Sequence, residues 1–233
     1  MKIILIVSAT TVIGGAALLY WQLTRHIDTS PRSPNVAEFI RNPSAHADWL
    51  VKAGSRCGSA PFAFPATGFI GYLWGDTFDA SHPHQGIDIF GGTEPGVTPV
   101  YAAAAGYLSR LPAWKSAVIV RIPSDPLQPG RQIWTYYTHM AGPDGNSFIS
   151  TAFPQGANEV FVEAGTLLGH MGNFSGTPGQ PVGVHLHFSI VQDDGHGGAR
   201  NELLIQNTLD PSPYLRLNLK AETASTEILV CQH

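Results

Sequence analysis

What most limits the fold of this chain is its punctuation. Twenty-five glycines and eighteen prolines among 233 residues cut it into short runs. From residue 62 onward those runs are rich in valine, isoleucine, tyrosine, phenylalanine and tryptophan. Short β-branched and aromatic runs bounded by turn residues pair as strands. The strand candidates are residues 68–73, 99–108, 117–122, 132–139, 159–163, 167–172 and 184–191. The expected domain is therefore all-β and spans residues 62–216, with 217–233 as a C-terminal tail. A hydrophobic content of 43% is ordinary for a globular core, whereas charged residues make up only 13% and the net charge is −4. That balance leaves no basic footprint for nucleic acid.

Ahead of this domain, residues 3–24 carry no charge. As a helix, residues 3–23 are long enough to cross ~30 Å of hydrocarbon. Leu18, Leu19, Tyr20 and Trp21 prolong the apolar run past the small residues Gly15 and Ala17. A retained membrane anchor over residues 1–25 is therefore expected, with secretion after signal cleavage as the alternative. Residues 26–61 read as a linker with short helices. Asn35 is expected to cap a helix over 36–41, and Ser44 one over 45–52 that stops at Gly54. Cys57 and Cys231 bracket the domain and suit an oxidising compartment. A bond between them would stabilise by up to about 5 kcal/mol in the chain-entropy model. Spacing alone does not decide whether they pair.

Residues 184–191 read Val-His-Leu-His-Phe-Ser-Ile-Val. As a strand this places Leu186, Phe188 and Ile190 on one face and His185, His187 and Ser189 on the other. Two histidines at i and i+2 then project together, ~6.5–7 Å apart at the backbone. Upstream, His84-Gln85-Gly86-Ile87-Asp88 supplies an imidazole and a carboxylate four residues apart. In an extended strand they would be ~13 Å apart, so a bend is expected there, with Gly86 permitting it. With only two cysteines, a transition-metal site in this chain has to be His/Asp/Glu in character.

Around these motifs lie Gly-Tyr-Leu-Trp-Gly-Asp at 71–76, Thr-Pro-Val-Tyr-Ala-Ala-Ala-Ala-Gly at 98–106, Tyr-Tyr-Thr-His-Met at 136–140 and Val-Glu-Ala-Gly-Thr-Leu-Leu-Gly-His-Met-Gly at 162–172. In this order, over roughly residues 70–192, the set resembles the lysostaphin/LytM-type zinc metallopeptidases, which cut peptide bonds in bacterial peptidoglycan. The resemblance implies an antiparallel β-sandwich with an open groove, of the duplicated hybrid motif type. It implies Zn2+ held by His84, Asp88 and His187, with His185 and His139 as catalytic histidines. The chain departs from the family at 90–97, 123–131 and 141–158, which look like insertions and are expected to rim the groove.

The chemistry so implied is metal-assisted hydrolysis of peptidoglycan peptides outside the cytoplasm. The ion takes three protein ligands and leaves one position for solvent. No HExxH helix is present, so histidine has to serve as the base. A monomer is expected. The alternative is a non-hydrolytic protein that binds peptidoglycan or activates a separate hydrolase through the same groove. A biotinyl- or lipoyl-type carrier is excluded, because no lysine lies between Lys115 and Lys220 to be modified. Tyr136 and Tyr137 are expected mainly in packing, Asp76 in a turn, His82 at the groove rim and His170 exposed. Asp144, Asp193 and Asp194 are expected in turns.

Overall fold

The computed structural model describes residues 30–76, 83–217, 227–229 and 231. The expected membrane anchor, His26, His82, His233 and most of the tail lie outside these residues. Among the described residues no helix is long and apolar enough to cross a membrane.

The domain is built on antiparallel strands. β1 (Leu50–Val51), β2 (Gly68–Tyr72), β3 (Ile87–Phe90), β10 (Leu186–Gln192), β7 (Ile133–Thr138), β6 (Val118–Ile122), β5 (Gly106–Ser109) and β8 (Val160–Val162) lie side by side in that order. β11 (Thr208–Leu209) joins the same sheet on the flank of β10 that β3 occupies, opposite Ile190 and Val191, whereas β3 lies opposite residues 186–188. A second sheet pairs β4 (Pro99–Tyr101) with β9 (Leu167–His170). Leu186, Phe188 and Ile190 are fully buried and share one core with Ile87, Ile89, Val118 and Val120 of the large sheet and Val100 and Leu168 of the small one. Each such side chain contributes about 1.5–3 kcal/mol by leaving water. This core fixes the register of β10 and so decides which way its histidines point.

Three local expectations change. The candidate strand 99–108 is two strands, β4 and β5, in different sheets. Between them Ala102 N–H bonds to Thr166 O and Ala103 N–H to Tyr137 Oη. The small, buried Ala102 and Ala103 let the backbone cross the core there. Residues 87–90, expected near a bend, form the interior strand β3. Gly86 has no left-handed φ; it is needed for close approach, since a Cβ there would stand 2.4 Å from Phe188 O. The linker helices also shift. α1 (Ser33–Arg41) begins before Asn35 with Pro34 in its first turn, and no side chain caps it. The second helix is a 3₁₀ segment, Pro43–Trp49, because Leu50 and Val51 are drawn into pairing with Phe69 and Gly68.

α1 lies on the sheet edge. Val36 and Phe39 are buried against Phe69, Tyr72 and Phe90. Arg32 is buried at its start and donates to the carbonyls of Ile70 (3.0 Å) and Gly71 (2.5 Å). Cys57 and Cys231 are disulfide-bonded, with Cα atoms 4.9 Å apart. The bond ties the segment ahead of β2 to the far end of the chain.

Candidate metal centre

Sheet register assembles the site. His187 on β10 sits opposite Asp88 on β3 and opposite Thr138 on β7. Neighbouring residues in register point to the same face, so Asp88 and His187 meet. His84 arrives from the segment before β3. Its N–H donates to Asp76 O (2.7 Å) and its carbonyl accepts from Gly75 N–H (2.8 Å). His84 Nδ1–H donates to Leu73 O at 2.9 Å, which turns Nε2 inward. Nε2 then lies 3.0 Å from Asp88 Oδ1 and 2.9 Å from His187 Nδ1, and the latter two atoms are 2.9 Å apart.

This triangle fits a metal ion. Donors bound at ~2.0–2.1 Å in a tetrahedral site stand about 3.3 Å from one another, close to the spacing seen. The protonation pattern agrees. His84 spends its proton on Leu73 O, and His187 Nε2–H faces Glu202 Oε1 at 2.9 Å. The two nitrogens and the carboxylate oxygen therefore aim lone pairs at one point. In the metal-free protein a single proton on His187 Nδ1 can satisfy only part of this arrangement. All three groups are buried, and a buried cluster of acceptors is costly unless a cation resolves it.

His185 and His139 stand over the same point. His185 Nδ1–H donates to Gly183 O (2.7 Å) and His139 Nδ1–H to Phe174 O (2.7 Å). Both rings thereby keep Nε2 as a free base, and their centroids are 4.5 Å apart. His139 follows the last residue of β7 with φ +68°, a left-handed conformation unusual for a non-glycine residue. Such strain persists only where the surroundings impose it. Here Gly172 packs so closely that a Cβ would lie 2.1 Å from Ala141 O and 2.5 Å from His139 O.

The electrostatics separate the histidines. Burial, aided by neighbouring His185, pulls His139 down to about 3. Burial likewise lowers His185, although Asp88 partly opposes this. Both are neutral at physiological pH. Burial also disfavours charge on His187, but its hydrogen bonds to Asp88 and Glu202 outweigh that and push it up to about 10 in the metal-free protein. Burial works against the Asp88 carboxylate too, yet the four surrounding imidazole interactions hold it well below the usual carboxylate range.

These groups line a groove of about 770 Å³. Its walls are Val36 and Ile40 of α1, residues 113–117, residues 174–176, Pro178, Val182 and Gly183, and Glu202 with Leu203. The three expected insertions do not rim it beyond Phe90. The turn at 123–131 joins the Ile122 and Ile133 ends of β6 and β7, opposite the end that leads to His139. Residues 141–158 instead pack on the small sheet, where Ile149 bridges Gly169. Tyr137 is a core residue whose hydroxyl accepts from Ala103, and Tyr136 lines the groove. Asp76 is buried and its carboxylate accepts from Leu73 N–H, a turn role. Asp193 and Asp194 accept turn N–H groups. His170 is half-buried on β9 and is not among the groove-lining residues. Glu202 was not anticipated, since it belongs to none of the sequence motifs.

No family model matches the chain, and no curated protein matches it. Solved structures do. Lysostaphin from Staphylococcus simulans is similar at 21% identity and a TM-score of 0.39, over 63% of this chain and 48% of that one. A candidate glycyl-glycine endopeptidase, lytM, from Ruminococcus gnavus shows 26% identity and a TM-score of 0.37, over 56% and 45%. The catalytic domain of the prophage-encoded M23 protein EnpA from Enterococcus faecalis shows 22% and 0.34, over 64% and 95%. The chain spans about half the length of the first two.

Proposed function

We propose that the protein is a zinc-dependent endopeptidase that hydrolyses peptide bonds in bacterial cell-wall peptidoglycan. The observation that carries this reading is the convergence of His84 Nε2, Asp88 Oδ1 and His187 Nδ1 within 3.0 Å of one another, beneath two neutral histidines in an open groove. The ordered motifs from 71 to 190 supply the substrate class. On this reading the strands form a sandwich of the duplicated hybrid motif type. The chain works as a monomer in the cell envelope, held by its apolar N-terminal segment.

A divalent ion held by His84, Asp88 and His187 supplies a Lewis acid that polarises a carbonyl and acidifies water. The chain's own residues do the rest. His185 and His139 keep Nε2 unprotonated, so either can accept a proton from attacking water and return it to the leaving amine. The histidine that has taken the water's proton can donate a hydrogen bond to the developing oxyanion before it passes that proton to the leaving amine. Burial of both rings strengthens these interactions by excluding solvent. Val36, Ile40, Phe90 and Phe174 give the groove apolar walls, along which a substrate peptide would lie.

The test is hydrolysis of purified peptidoglycan by the full chain, with and without a chelator, followed by zinc add-back and mass mapping of the products. New peptide termini that vanish with chelator and return with zinc are expected. Products made equally well in both conditions would exclude the metal mechanism. Tight wall binding without products would favour the non-hydrolytic role instead.

A further inference from the structure

A residue outside the motif-bearing strands completes the site. After β10 the chain turns at Asp194, whose Oδ1 accepts from the N–H groups of His196 (2.7 Å) and Gly198 (3.0 Å). Asp193 bridges Ala199, and Arg200 N–H returns to Gln192 O at 3.0 Å. The chain then runs back beside β10 towards the site. Gln85, between His84 and Asp88, secures this return by donating its amide to Leu203 O (3.1 Å). Glu202 is thereby placed with Oε1 2.9 Å from His187 Nε2 and 3.0 Å from Ser189 Oγ, which donates to it.

We propose that Glu202 is a positioning residue for the metal ligand His187, fixing the ring and tautomer that present Nδ1 to the ion. The geometry excludes direct ligation. Glu202 touches the ring nitrogen opposite the one that faces His84 and Asp88, so its carboxylate lies behind the imidazole. A neutral imidazole carries its proton on either nitrogen, and only the Nε2–H form offers Nδ1 to a metal. A carboxylate on Nε2 selects that form and raises the basicity of the ligating nitrogen. Ser189 is fully buried and lies two residues along the same strand face. Its hydroxyl holds the carboxylate in place, so His187, Ser189 and Glu202 act as one unit.

This inference rests on the metal reading, and its test separates the two. Zinc affinity of the full chain is measured by competition with a chelating dye for the wild type, Glu202→Ala, Glu202→Gln and Ser189→Ala. Glu202→Ala is expected to bind zinc about 10–100-fold more weakly. Glu202→Gln, which keeps shape and loses charge, is expected to bind about 10-fold more weakly, and Ser189→Ala a few-fold. In the zinc-loaded wild type the His187 Nε2 proton is expected as a slowly exchanging downfield NMR signal that Glu202→Ala loses. In chelator Glu202→Gln is expected to fold and to unfold cooperatively, with a modest loss of stability from its weakened bond to His187, and that variant decides the matter if Glu202→Ala does not fold. Wild type that binds zinc tightly, with Glu202→Gln within twofold of it and the signal retained in Glu202→Ala, overturns the role of Glu202 and leaves the metal site intact. Wild type that fails to bind zinc overturns both.

Discussion

Zinc binding should expel a proton from His187, and the pH dependence of affinity should show it. In the metal-free protein burial opposes charge on this ring, yet Asp88 and Glu202 together push it up to about 10. Nδ1 then carries a proton directed at Asp88 Oδ1, 2.9 Å away. The ion needs that same lone pair. Because the folded-state value is raised, the proton is held throughout the neutral range and is lost only as pH climbs towards 10. Binding below that value therefore releases about one proton per ion, and affinity strengthens as pH rises. The dissociation constant should fall about tenfold per pH unit, or roughly 100-fold from pH 6 to 8, equivalent to about 2.7 kcal/mol. The assay is calorimetric titration of stripped protein with zinc, in pairs of buffers with different ionisation enthalpies. The slope of heat against buffer enthalpy counts the protons. An affinity that stays flat from pH 6 to 8 with no proton release would refute the reasoning.

Other perturbations separate chemistry from folding. His185→Ala and His139→Ala should each lower kcat by about 10²–10⁴-fold with zinc content unchanged, read by product release and metal analysis. The double variant should fall short of the product of the two losses if the pair acts as a unit. Gly172→Ala forces a methyl onto backbone oxygens at 2.1 and 2.5 Å, which cannot move as a flexible side chain would. It should cost about 1–3 kcal/mol, lowering Tm, and should displace His139, lowering kcat even at temperatures where the fold persists. Reduction of Cys57–Cys231, or serine at both positions, should lower stability by up to about 5 kcal/mol in the chain-entropy model. Chemical unfolding with and without reductant measures it.

Much of the fold is legible because β10 alternates cleanly. A period of two with Leu186, Phe188 and Ile190 inward admits only one facing for His185 and His187. β3 is harder to read. Its four residues, Ile87–Phe90, are all buried, so no alternation shows, and its only charge is Asp88. The division between β4 and β5 is likewise hidden, because Ala102 to Ala105 carry no side-chain pattern that separates one sheet from the other. α1 starts at Ser33 because Pro34 and the buried Arg32 anchor it to β2, and contacts between Arg32 and the carbonyls of residues 70 and 71 leave no local trace in the sequence.

The site divides in the same way. His84 to Asp88 and His185 to His187 are recognisable as pairs, but their meeting depends on β3 lying beside β10 in one register. Shift that pairing by a single residue and Asp88 would face the core. Glu202 lies further from view, since its place depends on three turn contacts, at Asp193, Asp194 and Arg200, and on the reach of Gln85. None of these has a spacing that points at a metal. Gln85 is the telling residue. It sits between two proposed ligands in the most informative motif of the chain, yet its side chain bonds to the loop that carries Glu202. Replacing Gln85 with alanine frees that loop without touching any ligand. If Glu202 orders His187 as argued, Gln85→Ala should weaken zinc binding in the same direction as Glu202→Gln and by less. The effect should disappear in the Glu202→Gln background, as a double-mutant cycle on zinc affinity would show. Independent losses that simply add would mean the loop and the ligand are not coupled.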